Sequence, residues 1–362
     1  MSKVVLVVGT GTIGEPLIAM LARARTELGI DKLLFYKRTP LLDEKAKVES
    51  LCSMGAMLVV TNESMKSRFE DLGHQVYDTF ENALINSDVV IDCTPAGNEM
   101  KEKYYIPIQD THPKDRLFIA QGSEKGFGVP YAYGINDEVL DSESPSFIQV
   151  VSCNTHNIAC LLKSFSDNFS NIVMGDFVCI RRANDVSQRG SFIASPEVGE
   201  HSDELWGTHH ARDAADLIAT VAEPPNLYSS AMKVNSQYMH VIRFSIVVEG
   251  ALTQDDILKR LGENKMISLT QKTQSGRVFS FGRDHGQYGR IYNHTVIPTV
   301  TLQTQGGESS EGHNGTRITG FCFTPQDGNS LISSTAAMLH GIHGDKRNTF
   351  DSFFDKMLYD EL

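Results

Sequence analysis

The chain has 362 residues, of which 41% are hydrophobic and 22% are charged, and its mean hydropathy is -0.21. This length suffices for two domains, and the composition is that of an ordinary globular protein. The net charge of -12 at pH 7 argues against nucleic acid as the main partner, because binding phosphates requires a concentrated basic surface.

Two further features bear on where the protein works. No apolar run is long enough to span a bilayer, and the first residues lack the pattern of a secretory leader, so neither membrane insertion nor secretion is expected. The six cysteines are widely spaced, with no C-x-x-C pair and no cluster of the zinc-binding type. We therefore expect a cytoplasmic protein without a metal site.

The first predicted element is a β-branched strand, residues 4 to 8, which is followed by the glycine turn GTGTIG and an amphipathic helix. Gly9 permits the tight turn, Gly11 lets the backbone approach a pyrophosphate, and Gly14 lets the helix pack on the strand. The helix N-terminus would face the anion. This pattern predicts a dinucleotide-binding site, and the alternative is a tight turn with no ligand.

The second predicted strand, residues 32 to 37, ends in Lys37-Arg38-Thr39. An NAD-selective site would place an acidic residue at this point to bind the ribose 2'-hydroxyl. A basic and hydroxyl cluster suits a 2'-phosphate instead, so the sequence favours NADP, with NAD tolerated. The alternative is an exposed basic turn.

Further strands, at 57 to 60, 88 to 93 and in the segment ending at Gln121, alternate with helical segments. This alternation predicts an α/β fold with a parallel, doubly wound Rossmann sheet over residues 1–151. Ligands of such sheets lie outside the carboxyl ends of the strands. The predicted cofactor-binding residues are Gly9, Gly11, Thr12, Ile13, Gly14, Lys37, Arg38, Thr39, Thr94, Pro95, Gly97, Gln121, Gly122 and Gln326.

The segment SFIQVVSCNTHNIACLLKSF predicts a strand followed by a helix that starts at or next to Cys153. The N–H groups and the dipole of a helix N-terminus favour a thiolate, and they could stabilise an oxyanion formed on an attacked carbonyl. The alternative is a buried small residue, which we expect for the other five cysteines. Cys160, on nearly the same helical face, is the natural control.

Several segments, in their order along the chain, resemble the archaeal (type II) glyceraldehyde-3-phosphate dehydrogenases: VGTGTIG, VVIDCTPAG, QGSEK, VVSCNT, CIRRAND, THHARD and YMHVIRFSIVVEG. The resemblance extends over nearly the whole chain, and CTPAG and SCNT are its most specific parts. It implies that Cys153 is the nucleophile and that His240 is the base. It further implies a substrate site formed by Asn154, Thr155, Arg181, Arg182, His209 and His210.

The chain after the Rossmann domain continues with strands and helices, which predicts an α+β catalytic domain with a mixed or antiparallel sheet over residues 152–328. Residues 329–362 are predicted to form helices that pack back on the Rossmann domain. The resemblance also implies a homotetramer.

The chain departs from the family where His156 and Asn157 follow SCNT, since relatives typically have a second Thr and a small residue there. Ala183 and Ala211 likewise stand where a Gly is usual. We expect His156 and Asn157 to border the site for inorganic phosphate, which leaves the second substrate open.

Three functions therefore follow as expectations. The first is an NADP-dependent oxidoreductase that interconverts an aldehyde and an activated acyl group through a cysteine thioester, as phosphorylating glyceraldehyde-3-phosphate dehydrogenases do. The second is an acyl-CoA reductase that makes a semialdehyde from malonyl-CoA or succinyl-CoA on the same scaffold. The third is a non-catalytic, redox-sensing dinucleotide-binding protein in which Cys153 is a regulatory thiol.

Overall fold

The computed structural model describes residues 2–122, 124–142, 145–166, 168–184, 190, 192–308, 314–325, 327–344 and 349–362. The chain divides into two compact units. The first contains Met1–Tyr131, Val139–Val150 and Ser330–Asp351, and the second contains Ala132–Glu138, Val151–Asn329 and Ser352–Leu362. Residues 352–362, which the sequence assigned with the preceding helix, thus group with the second unit.

The first unit is built around a parallel sheet. Its strands are β1 (Val4–Val8), β2 (Lys32–Tyr36), β3 (Met57–Val60), β4 (Val76–Thr79), β5 (Val89–Asp92), β6 (Leu117–Gln121), β7 (Val129–Tyr131) and β8 (Phe147–Val150). The helices between them are α1 (Gly14–Ala24), α2 (Lys45–Ser53), α3 (Glu63–Glu70), α4 (Phe80–Asn86), α5 (Gly97–Met100), α6 (Ile106–Thr111) and α7 (Glu138–Ser142). A π-helical turn, Lys101–Tyr105, joins α5 to α6.

The strand order is β4-β3-β2-β1-β5-β6-β8-β7, and every neighbouring pair is parallel. All five residues of β1 are buried, as in parallel strands that are covered on both faces. The strand order reverses direction between β1 and β5, which is the place where doubly wound sheets bind their ligands. The predicted Rossmann fold is confirmed.

The second unit contains a mixed sheet. Its strands are β9 (Ile172–Arg181), β10 (Glu197–Val198), β11 (Asn226–Lys233), β12 (His240–Glu249), β13 (Ile267–Thr270), β14 (Thr295–Pro298), β15 (Gln303–Glu308) and β16 (Asn314–Thr324). Its helices are α8 (Cys153–Phe165), α9 (His209–Ile218), α10 (Gln254–Glu263) and α11 (Ser275–His285). Later in the chain come α12 (Gly328–His343), which groups mostly with the first unit, and α13 (Asp351–Asp355).

The order in this sheet is β10-β11-β9-β12-β16-β14-β13, with β15 paired to β16. The β9–β11 and β13–β14 pairs are parallel and the others are antiparallel, as predicted for a mixed sheet. Apolar side chains of α8, α9 and α10 form one core with the inward residues of β9, β12 and β16. This core fixes α8 on the sheet.

Three segments differ from what the sequence predicts. The run IYNHTVIPTVTLQ, residues 291–303, predicts one long strand, but in the structure β14 ends at Pro298 and a 3-10 turn follows, in which the Thr301 hydroxyl donates to the Pro298 carbonyl at 2.8 Å. The helix predicted over 349–362 ends at Asp355, because the tail pairs with β13 instead, through main-chain bonds of 2.9 Å between Leu269 and both Asp360 and Leu362. Strand β4 was not predicted, since its sequence VYDT is largely polar.

Within the described ranges, none of the helices combines the length and the apolarity that crossing a bilayer requires.

Candidate active site

The glycine turn after β1 has the shape that a dinucleotide requires. Gly9 has a φ of +96°, and a Cβ at Gly14 would lie 2.1 Å from the Gly9 carbonyl oxygen, so both positions need glycine. A Cβ at Gly11 would meet no described atom within 4 Å. Helix α1 begins directly after Ile13, and among the described residues no side chain caps its N-terminus. The dipole at the N-terminus of α1 and the open space at Gly11 fit a pyrophosphate.

The loop after β5 lies against this turn. The Asp92 carboxylate is buried, and its Oδ1 accepts hydrogen bonds from the Thr94 N–H at 2.8 Å and the Thr94 hydroxyl at 2.6 Å. Its Oδ2 accepts from the Tyr105 hydroxyl at 2.5 Å. Burial raises the pKa of Asp92. The Thr94 methyl is thereby held 3.1 Å from a Cβ position at Gly9, and Pro95 and Gly97 continue the same loop into α5.

Asp92 was missed in the sequence analysis. The signal that could have found it is a charged residue at the end of the otherwise apolar strand VVID. A carboxylate in such a place must be hydrogen-bonded, and the nearest hydrogen-bonding groups in sequence are those of Thr94.

The end of β2 carries the three residues predicted to bind a 2'-phosphate. Lys37 is only 7% exposed and forms an ion pair with Glu44, whereas Arg38 and Thr39 are exposed. A second lysine, Lys47, lies 2.9 Å from the same Glu44 carboxylate. Burial opposes ionisation of Glu44, but the bonds from the two lysines dominate and lower its pKa. The Lys37 charge is thus already partly neutralised.

Lys47 also ties this cluster to the glycine turn. Its ammonium donates to the Thr10 carbonyl at 3.3 Å and lies 3.2 Å from the Glu15 carboxylate in the first turn of α1. The sequence offered no motif for Lys47, since it lies on a polar helix ten residues beyond β2. We expect it to hold the turn in place.

The end of β6 contributes two further predicted residues. The Gln121 amide donates to the Ser334 hydroxyl on α12 at 2.6 Å, and its oxygen has no partner among the described residues. Gly122 has a φ of +72°, and its N–H donates to the Val150 carbonyl at 2.8 Å. Gln326, the last predicted cofactor-binding residue, lies outside the described residues.

Helix α8 begins at Cys153, as the sequence predicts. Ser152 is its N-cap: the Ser152 hydroxyl oxygen accepts from the Thr155 N–H at 3.3 Å, and the two hydroxyls are 2.9 Å apart. The Asn329 amide donates to the Cys153 carbonyl at 3.1 Å. Cys153 is partly exposed, and Asn154 is buried with an amide oxygen that has no described partner. In contrast, Cys160, Cys179 and Cys322 are buried.

His156 and Asn157 lie in the interior, so the expectation that they border a phosphate site receives no support. Both are 0% exposed. The His156 ring donates from Nδ1 to the Ser152 carbonyl at 2.9 Å, and its centroid is 4.8 Å from that of His294. The Asn157 amide donates to the Thr324 hydroxyl at 2.8 Å. These residues anchor α8 on the sheet.

The buried His156 and His294 rings predict a loss of stability in acid. Burial lowers the pKa of His294 to about 4, below its unfolded value of about 6.5. The unfolded chain therefore binds more protons at acidic pH. The contribution of the neutral His294 ring to the free energy of unfolding is complete above pH 6.5, and it decreases by about 3 kcal/mol as the pH is lowered to 4. Urea unfolding at pH 7.5 and pH 5 measures the effect. In a His294→Gln variant the free energy of unfolding should depend less on pH, whereas His112→Gln, at an exposed position, should leave its pH dependence unchanged. Equal pH dependence in the wild type and both variants would contradict this role of His294.

The end of β9 is joined to the start of β12. Arg182 is buried, its main-chain N–H donates to Nδ1 of His240 at 3.0 Å, and its guanidinium donates to the Tyr238 carbonyl at 3.3 Å. Arg181 is exposed. Burial, followed by the charges of Arg182, Arg181 and His210, lowers the pKa of His240 well below its usual value. His240 is consequently neutral at physiological pH.

His209 and His210 begin helix α9, and their ring centroids are 4.0 Å apart. His210 is 3% exposed, and neither of its ring nitrogens has a hydrogen-bond partner among the described residues. Burial lowers the pKa of His210 to about 3, with smaller effects of His209 and Arg181. Since Arg181 also acts on His209 and His240, the structure brings together Arg181, Arg182, His209, His210 and His240.

One hydrogen bond connects α8 to the strand that pairs with β12 at His240. Thr324, which Asn157 of α8 binds, is the cross-strand partner of His240. Cys179, two residues before Arg181 on β9, has its pKa raised mainly by burial, with contributions from the charges of Cys322 and Cys153. The partly exposed thiol at the start of α8 and the imidazole at the start of β12 thus lie on elements that are connected through Thr324. This set of groups can support nucleophilic attack on the carbonyl of an anionic substrate.

Comparison with curated proteins gives a consistent set of relatives. Glyceraldehyde-3-phosphate dehydrogenase of Sulfolobus acidocaldarius is 27% identical over 264 residues, which is 70% of this chain and 72% of the relative. The enzyme of the same name from Pyrococcus abyssi is 27% identical over 251 residues, 67% of this chain and 70% of the relative. That of Pyrococcus furiosus is 25% identical over 296 residues, 80% and 81% respectively. No protein-family model matches the chain.

The doubly wound sheet, its glycine turn and these relatives support a dehydrogenase that uses a nicotinamide dinucleotide. The relatives also support a distant relationship to the archaeal glyceraldehyde-3-phosphate dehydrogenases, as the sequence motifs indicated.

Proposed function

We propose that this protein oxidises an aldehyde to an acyl phosphate through a thioester on Cys153, with glyceraldehyde 3-phosphate as the aldehyde. The observation that carries the proposal is the partly exposed Cys153 at the N-terminus of α8, in the same unit as the cluster of arginines and histidines on β9, α9 and β12. The names of the relatives support the choice of substrate.

In this proposal the Cys153 thiolate attacks the aldehyde carbon, and His240 is the imidazole that acts on the adduct. Arg181 and Arg182 bind the anionic groups of the substrate, and His210, whose ring nitrogens have no described partner, donates a hydrogen bond to them. When bound, the oxidised nicotinamide supplies the acceptor for the hydride. Thr155, whose hydroxyl already pairs with Ser152, chiefly orders the turn that presents Cys153.

The acyl acceptor is tested by following NADPH oxidation with the purified protein, using 1,3-bisphosphoglycerate and, separately, malonyl-CoA and succinyl-CoA. We expect turnover with the acyl phosphate. Turnover with the CoA thioesters alone would replace the proposal by the acyl-CoA reductase. If the protein binds the dinucleotide but turns over none of these substrates, the hypothesis of a non-catalytic, redox-sensing protein would replace the proposal.

For the cofactor we propose NADP, bound at its 2'-phosphate by Arg38, Thr39 and Lys37. The exposed Arg38 supports this, whereas Glu44 competes with the phosphate for Lys37.

A Lys37→Ala, Arg38→Ala double variant is expected to weaken NADP binding at least about tenfold, because charge-assisted bonds to the phosphate are lost, and to leave NAD binding within about twofold. Titration of each dinucleotide, followed by fluorescence, measures both. As the control, Lys45→Ala, Lys66→Ala removes two surface charges from α2 and α3 of the same unit. An unchanged ratio of NADP to NAD affinity in the first variant would refute the 2'-phosphate site.

We also propose that the chain is a homotetramer. Supporting this, β9 and β12 present partly exposed Met174, Val178 and Val247 on one face, with the Asp176 and Arg243 side chains 3.8 Å apart. Light scattering should give a native mass about four times 40.0 kDa. Val247→Glu should lower it, and Lys259→Glu on the exposed side of α10 should not. A monomeric wild-type protein would contradict the assembly.

A further inference from the structure

Folding brings a carboxylate to the end of β2, where the sequence itself has Lys37-Arg38-Thr39. Glu44 closes the 3-10 turn Leu42–Glu44, and its Oε2 forms an ion pair with Lys37, the first residue after β2. Its Oε1 lies 2.9 Å from the Lys47 ammonium. The Glu44 side chain is 27% exposed, so a ligand can still reach the carboxylate.

This carboxylate is linked to both parts of the first unit that a dinucleotide contacts. The Gly9 N–H donates to the Tyr36 carbonyl at 3.2 Å, which places the glycine turn against the end of β2. Lys47 donates to the Thr10 carbonyl within that turn at 3.3 Å. In doubly wound sheets the turn holds the pyrophosphate, and residues at the end of the second strand hold the adenosine ribose. Glu44 therefore belongs to the part of the site that distinguishes a 2'-hydroxyl from a 2'-phosphate.

We propose that Glu44 determines the cofactor specificity of this protein: its carboxylate accepts a hydrogen bond from the ribose 2'-hydroxyl of NAD, and it opposes the 2'-phosphate of NADP by engaging Lys37. The inference rests on the proposed function, since it places the ribose of the dinucleotide at the end of β2. It deepens that function, because the same site then takes both cofactors and one residue limits the preference for NADP.

The ionisation of Glu44 suits it to this role. Burial opposes its ionisation, but the bonds from Lys37 and Lys47 dominate and lower the pKa of Glu44, so the side chain is a carboxylate at neutral pH. A carboxylate only accepts hydrogen bonds and has about four lone-pair positions, so the two lysines leave room for a hydroxyl donor. A 2'-phosphate carries about two negative charges and would be repelled instead.

The charges around Glu44 indicate how much a neutral side chain would change. Lys47 also lies 3.2 Å from the Glu15 carboxylate, so two lysines face two glutamates and their charges balance. The exposed Arg38 supplies positive charge beyond this balance. Without the Glu44 charge, Lys37 would be released to bind the phosphate together with Arg38.

The first test is titration of the full-length protein with NADP and, separately, with NAD, followed by fluorescence, for the wild type and for Glu44→Gln. Gln keeps the size of the side chain and removes its charge. We expect the affinity for NADP to rise at least about fivefold, and the affinity for NAD to fall by about threefold to tenfold because the bond to the 2'-hydroxyl loses its charge. An unchanged ratio of the two affinities, or affinities that fall together, would overturn the inference.

Glu49→Gln is the matched control. It removes the same charge from an exposed position on α2, where the Glu49 carboxylate lies 3.7 Å from the Lys45 ammonium. Because an exposed charge is screened by salt, both affinities should stay within about twofold of the wild type. A change in the ratio as large as that in Glu44→Gln would show that the net charge of α2 sets the specificity, and would overturn the role of Glu44.

A second measurement reads the coupling between Glu44 and Lys37. The gain in NADP affinity from Glu44→Gln should be at least about threefold smaller when Lys37 is also replaced by Ala, because no lysine is then released. Lys47 still holds the carboxylate in the Lys37→Ala variant, so the position of Glu44 is kept. Equal gains with and without Lys37 would contradict the proposed engagement of this lysine.

Failure of the proposed function gives a different result. A wild-type protein that turns over no aldehyde, but whose ratio of NADP to NAD affinity rises in Glu44→Gln, would refute the proposed reaction and support the role of Glu44. An active dehydrogenase whose ratio is the same in Glu44→Gln would overturn the inference alone.

Discussion

Cys153→Ser is expected to lower kcat/KM for aldehyde oxidation by about 10⁴-fold, because a serine hydroxyl stays protonated at neutral pH and is a much weaker nucleophile than a thiolate. The effect should fall on the chemical step alone. The residues proposed to hold the dinucleotide lie on β1, β2, β5 and β6 and their loops, so dinucleotide affinity should remain within about twofold. Steady-state absorbance of NADPH and dinucleotide titration measure the two quantities on the same preparation.

Cys160→Ala is the matched control, since it removes a thiol from the same helix. Cys160 is buried, burial raises its thiol pKa, and its sulfur is 3.6 Å from the Asn264 amide. We expect it to cost about 1 kcal/mol of stability and no activity. Full activity in Cys153→Ser, or an inactive but folded Cys160→Ala, would show that the nucleophile is not Cys153.

The second large effect concerns the glycine turn, where two neighbouring substitutions should fail for different reasons. A Cβ at Gly14 would lie 2.1 Å from the Gly9 carbonyl oxygen and 2.9 Å from its carbon. Backbone atoms cannot yield as a flexible side chain can, so Gly14→Ala should destabilise the first unit by about 3 kcal/mol. Thermal unfolding should show a lowered midpoint, and dinucleotide binding should be lost with the shape of the turn.

Gly11→Ala should behave differently, because its Cβ would meet no described atom within 4 Å. The thermal midpoint should not change. Dinucleotide affinity should nevertheless fall by at least about tenfold, since the methyl group would occupy the space through which the pyrophosphate approaches. A Gly11→Ala variant that binds the dinucleotide with wild-type affinity would place the cofactor elsewhere.

The elements that could be predicted from sequence are those in which the spacing of the apolar residues agrees with the residues that mark the ends of a helix or strand. Strand β1 and helix α8 have the predicted bounds, because a continuous apolar run marks the first and the Ser152 cap marks the start of the second. Strand β4 was missed, and the C-terminal tail was predicted wrongly. The tail pattern TFDSFFDKMLYDEL suits a helix, but tertiary pairing with β13 outweighs this local preference.

The candidate site shows a similar division. Sequence motifs pointed to Cys153 and to the arginines and histidines of the candidate site, since the proposed chemistry requires those residue types at helix and strand ends. The acidic partners were missed: Glu44, which holds Lys37 and Lys47, and Asp92, which holds Thr94. Such partners satisfy charges and hydroxyls that are brought together only by folding, and their spacing along the chain carries no periodic signal.

The hydrogen bond from Asn157 to Thr324 bears on whether the oxidation and the acyl transfer of the proposed reaction can occur separately. It joins the helix that starts at Cys153 to the strand opposite His240, and all four residues belong to the second unit. In the proposed reaction, thiol and imidazole therefore share one scaffold, the second unit, which includes no part of the glycine turn. Release of the reduced dinucleotide leaves that scaffold intact, so the acylated enzyme can wait for its acceptor, and acyl transfer becomes a half-reaction separable from the oxidation.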